Sequence, residues 1–90
     1  MKYYLTKEEM KEIEKLADYA LSAQNKQDAK RYVQQMRFAI NDIWGSSKNI
    51  LNEMIAGIDN ATGMVSDKAT KTSTAKQLII KAQMFCVEKK

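Results

Sequence analysis

The sequence predicts an all-α protein, a small antiparallel bundle of three to four helices forming one domain over residues 1–90. Three observations carry this. Apolar residues recur at helical spacing through most of the chain, proline is absent, and no alternating apolar and polar run competes as a strand.

The first helix is announced by Leu5-Thr6-Lys7-Glu8-Glu9-Met10. Thr6 is placed as N-cap, accepting from the Glu9 amide while the Glu9 carboxylate reaches back to the Thr6 amide. Leu5 and Met10 occupy the two positions of a hydrophobic staple. Met10, Ile13, Leu16, Ala17, Ala20 and Leu21 then share one face. The pattern weakens at "SAQNKQD", where Asn25 followed by Asp28 supplies a cap for a second helix.

That second helix carries Ala29, Tyr32, Val33, Met36, Ala39, Ile40 and Ile43 as its stripe, and Gly45-Ser46-Ser47 ends it. A glycine closes a helix cheaply in the left-handed conformation, and either serine caps the next one. The single tryptophan, Trp44, reads as a buried corner residue whose ring closes the core and whose indole N–H meets a terminal carbonyl. Ile50, Leu51, Met54, Ile55, Ile58, Ala61 and Val65 continue the spacing, with Gly63 as a candidate end.

Over residues 66–74 the small, polar run leaves two readings open, a linker or the first turns of a last helix. The last helix turns Ala75, Leu78, Ile79, Ala82, Phe85 and Cys86 inward. Were the two halves unbroken, the same stripes would make a long two-helix hairpin. The interruptions at "SAQNKQD" and "NATGM" favour the bundle.

A chain of 90 residues buries only roughly 60–65% of the surface its unfolded form exposes, so the core is thin and self-association is expected to supplement it. The 44% hydrophobic and 29% charged content fits a folded protein rather than a disordered one. No run approaches a membrane span and the start lacks a signal-like apolar stretch, which predicts a cytoplasmic protein without membrane contact. The lone Cys86 fits a reducing compartment.

Catalytic chemistry has little to work with. Histidine, the commonest general base and metal ligand, is absent, one cysteine makes no zinc site, and the three glycines are isolated. Glu8 and Glu12 lie one turn apart among Lys7, Lys11 and Lys15, which reads as a solvated ion-pair surface. A non-enzymatic protein is therefore expected, with no catalytic residue, cofactor or metal.

The net charge of +4 gathers in residues 26–48 and 68–90. If the second and last helices are neighbours, Lys26, Lys30, Arg37, Lys71, Lys76 and Lys81 offer a phosphate-facing surface, the basis of an alternative reading as a nucleic-acid or nucleotide binder. Apolar residues off the core stripes point elsewhere. Ile80, Met84 and Val87 form a second stripe on the last helix, while Phe38, beside Arg31, and Tyr19 stand opposite their own helices' buried faces. Aromatic residues next to arginine have the composition of an interface hot spot.

The leading expectation is a protein-interaction module that acts sterically through Ile80, Met84, Val87, Phe38, Arg31 and Tyr19. Its partners are another protein, such as a host or defence factor, and further copies of itself. Small basic helical chains without catalytic residues suit accessory inhibitors of phage or mobile elements. A chain of this length with Trp44 and Gly45 in a central turn also resembles the Trp-x-Gly family of small type VII secretion substrates. That resemblance implies a secreted, dimeric helical hairpin. The place two after the Trp, where the family has Gly, is taken here by Ser46.

Overall fold

In the computed structural model, which describes residues 2–89, the first helix starts where the capping box lies. Thr6 Oγ1 accepts from the Glu9 amide at 3.1 Å, and Glu9 Oε1 accepts from the Thr6 amide at 2.8 Å. Both staple residues, Leu5 and Met10, are buried. This start opens α1 (Lys7–Ser22), which is followed by α2 (Lys26–Ala39), α3 (Ser46–Asn60) and α4 (Lys68–Phe85). The Asn25 side chain accepts from the Asp28 amide and caps α2. The halves are therefore broken, and the described residues form a four-helix bundle, not the long hairpin. Residues 68–74 belong to α4, which settles the segment that the sequence left open.

α1 packs chiefly on α2, and α3 on α4; the two pairs join through α2 with α3 and through α1 with α3 and α4. The core is built from Leu5, Met10, Ile13, Met36, Ile40, Ile43, Leu51, Met54, Ile55 and Ile58, joined by small residues such as Ala17, Ala75 and Ala82. Gly57 allows α3 and α4 to approach closely, since a Cβ there would come within 2.7 Å of Leu78 Cδ1. The radius of gyration, 12.5 Å, matches the ~12 Å of a folded chain of this length.

At the end of the bundle holding the N-terminus of α4, Lys26 of α2 ties down the C-terminus of α3. Its Nζ pairs with Asp59 at 3.2 Å and donates to Thr62 Oγ1 at 2.9 Å. Thr62, fully buried, in turn donates to the Asp59 carbonyl. At the opposite end the closure is made by backbone. Residues 2–5 run extended between the α2–α3 turn and the tail after α4, in parallel bridges pairing Lys2 with Ile43 and Leu5 with Val87. These short bridges add β-type pairing to a fold read from sequence as purely helical.

Two core assignments are corrected. Trp44 is 54% exposed, because Leu5, Ile43 and Cys86 already close the core at its corner. Its backbone amide, rather than its indole, meets a carbonyl, that of Lys2, at 2.8 Å. Phe85 is likewise half exposed: α4 ends there, and of the residues expected to face inward Ala75, Ala82 and the C-cap Cys86 are fully buried while Phe85 is not.

The Lys2 ammonium, hydrogen-bonded to the Glu9 carboxylate, holds that carboxyl below its ordinary value of 4.5, with the Thr6 amide adding to the effect. A lowered native pKa contributes stability above the ordinary value and loses it as pH falls through the native one. The melting temperature is therefore expected to drop as pH is lowered from about 5 to 3, and less steeply in Glu9→Gln, when both are followed by circular dichroism. Thr6→Ala, which removes the other half of the box, is expected to cost about 1 kcal/mol at neutral pH.

Candidate functional site: an aromatic end face

The extended segment that closes the bundle also contributes to an exposed apolar surface. Leu5 is inserted in the core, donating its amide to the Cys86 carbonyl at 2.7 Å and accepting from the Glu88 amide at 2.8 Å. Lys2 is held on the other side by the Trp44 amide and the Glu9 carboxylate. With both ends pinned, Tyr3 and Tyr4 are displayed outward, each about half exposed. Tyr3 lies against Gly45, whose positive φ of 78° turns the chain into α3.

Tyr4 joins two adjoining concavities. One, of about 430 Å³, is lined by Tyr4 with Met84, Phe85, Val87, Glu88 and Lys89. The other, of about 220 Å³, is lined by Tyr3, Tyr4, Trp44, Ser46 and Ser47. Tyr3, Tyr4, Trp44, Met84 and Phe85 thus form a continuous face, which Ile80 extends by one helical turn below Met84. Cys86 lies beneath it, fully buried, with Sγ 3.6 Å from the Ser47 carbonyl; burial raises its thiol pKa. That combination disfavours a reactive thiolate.

Of the residues singled out from sequence, Ile80 and Met84 are more than half exposed, while Val87 is half-buried against the core and pairs with Leu5. α4 is not the central helix that would bury both of its stripes; it is covered mainly by α3. Tyr19 and Arg31 come together elsewhere, beside Tyr32 in the α1–α2 groove, with the two tyrosine rings 5.5 Å apart. Phe38, 76% exposed, stands on α2 two turns beyond Arg31 and belongs to neither concavity of the end face.

The basic residues are dispersed. α2 and α4 do not pack on one another, so the adjacency that would align their lysines is missing. Lys26 and Lys71 do line one cavity near the start of α4, but Lys26 is engaged by Asp59 and Thr62. Lys30, Arg37, Lys76 and Lys81 are exposed. Among the described residues no cluster of His, Cys, Asp or Glu could hold a metal ion, and no helix is long and apolar enough to cross a membrane.

Tyr3, Tyr4 and the outward Trp44 and Phe85 escaped the sequence reading because helical periodicity describes neither a segment preceding the first cap nor a helix end. The available signal was the pair of tyrosines directly before a staple leucine: a staple fixes the entering chain and so displays what precedes it. The four-helix arrangement also departs from the hairpin implied by the resemblance to Trp-x-Gly proteins. Compared with models of protein families, with curated proteins and with solved structures, the chain matches none.

Proposed function

We propose that the protein is a non-enzymatic interaction module that binds another protein sterically through the aromatic end face. One observation carries this reading: Tyr3, Tyr4, Trp44, Met84 and Phe85 converge, each more than half exposed, on a surface held rigid by backbone hydrogen bonds. Rigid aromatic side chains provide large contact area at little entropic cost, and they dominate interface energetics. Such a module works by covering a surface of its target, as an inhibitor of a host or defence protein does. Nucleic-acid binding has weaker support, because Lys26 is engaged and the basic helices lie apart.

The test compares tagged wild type with Phe85→Glu and Phe38→Glu in nuclease-treated lysate. A protein retained in stoichiometric amount by wild type and Phe38→Glu, and bound about 30-fold or more weakly by Phe85→Glu, is the expected result. Equal retention by Phe85→Glu would remove the end face from the mechanism, and a complex that disappears with nuclease treatment would return the basic segments to the front.

A further inference from the structure

We infer that α4 is built in two parts, a docked part from Ala75 onward and a strap, residues 68–74, that unfolds locally while the rest of the protein stays folded.

Local propensity is the first argument. The strap reads Lys68-Ala69-Thr70-Lys71-Thr72-Ser73-Thr74. Three threonines and a serine make it poor in helix formers, because each loses side-chain freedom in a helix or competes for its backbone bonds. Lys68 and Lys71 stand where the helix dipole favours negative charge, and the first turn holds no acid to offset them. The N-cap Asp67 sits in the left-handed region at φ 55° and makes no side-chain cap bond, whereas Thr6 and Asn25 cap α1 and α2. The first amides of α4 therefore lack the partner that those two starts possess.

Packing is the second argument. No side chain of residues 68–74 is buried, and the first buried residue of α4 is Ala75. A hollow of about 430 Å³ lies where Thr70, Lys71 and Thr74 face Gly57 and Asn60 of α3. Opening the strap therefore returns little apolar area to water. The Lys68 ammonium donates to the Gly63 carbonyl at 2.8 Å; among the described residues no other side-chain hydrogen bond or ion pair holds the strap.

The docked part differs on each count. Ala75, Ala82 and Cys86 are buried, and Leu78 and Ile79 pack on the core, with Leu78 seated against Gly57. Ile80, Met84 and Phe85 belong to this part. Opening thus bares the α3 surface around Gly57 and Asn60 and leaves the end face assembled. Segments with few buried apolar contacts open at a small fraction of the global cost, which is what allows one half of a helix to move alone.

Native-state hydrogen exchange followed by NMR, without urea and in dilute urea, tests the inference. The amides of residues 71–74 are expected to be protected about 100-fold less than those of residues 79–84, and about tenfold less than those of residues 10–13, the matching turn of the capped α1. Their protection should hold in about 1 M urea while that of residues 79–84 falls, because a local opening exposes little surface. Thr72→Pro breaks the strap from within. Its cost is capped by the cost of opening the strap, so protection of residues 79–84 should fall by no more than about tenfold, against about 100-fold for a proline inside an integral helix. Equal protection of residues 71–74 and 79–84, falling in parallel with urea, would mean that α4 opens as one unit and would overturn the inference. So would a loss of about 100-fold at residues 79–84 in Thr72→Pro.

Discussion

Leu5→Ala is expected to lower the stability of the folded protein by about 3 kcal/mol and its melting temperature by about 15 °C. Leu5 lies outside the helices, in the short segment that precedes α1. Its side chain is nonetheless fully buried, packed into the main core, and its amide and carbonyl are both engaged with the tail after α4. Removing it leaves a cavity lined by neighbours held in place by other contacts, so collapse is incomplete and the cost falls in the range of a large-to-small core change. For a domain of this size that is about a fifth to two thirds of the total, at about 0.05–0.15 kcal/mol per residue. Urea unfolding at neutral pH measures it. A loss under about 0.5 kcal/mol would mean that the segment is a surface strap and that Tyr3 and Tyr4 are not rigidly presented.

The buried stripes of α1, α2 and α3 were legible because each is a periodic face bounded by a local signal. Met10, Ile13 and Ala17, then Val33, Met36 and Ile40, then Leu51, Met54, Ile55 and Ile58 are all buried as their spacing predicts. The Thr6 capping box is a contact between neighbours in sequence, so sequence sufficed to locate it. α4 was less legible, since its apolar residues surround the helix and its N-cap, Asp67, sits in the left-handed region at φ 55° without a side-chain cap bond.

The end face was the least legible part. It depends on pairing among residues 2–5, 43–44 and 86–88, far apart in sequence, and no local period encodes that. Assigning Trp44 to the core followed from its place at the corner that ends the α2 stripe. Leu5, arriving from the other end of the sequence, occupies part of the corner instead, and the indole is left outside where it becomes part of a surface. Of the residues picked as contacts, Met84 and Val87 line that surface and Ile80 is exposed one helical turn before Met84, whereas Tyr19 and Arg31 line a separate groove.

Gly45→Val is expected to destabilise the protein by about 2–3 kcal/mol and, unlike a core truncation, to weaken the end face even in molecules that remain folded. Gly45 adopts φ 78° with ψ −155°, a region essentially reserved for glycine that costs an L-residue about 1–3 kcal/mol. An added Cβ would stand 3.2 Å from the Tyr3 ring, tighter than ordinary contact, and the branch of valine extends further. The strain therefore has two outlets. The turn between α2 and α3 shifts, loosening the bond from the Trp44 amide to the Lys2 carbonyl, or Tyr3 moves off the face. Either outlet disturbs Tyr3, Tyr4 and Trp44 together, because one pair of bridged segments positions all three. Tryptophan fluorescence separates this from general loosening: the emission of Gly45→Val should shift under native conditions, while that of a core variant of equal stability cost, such as Ile58→Ala, should match wild type until it unfolds. Identical native spectra for all three would show that Gly45 serves the turn alone and that Trp44 is positioned independently of Tyr3.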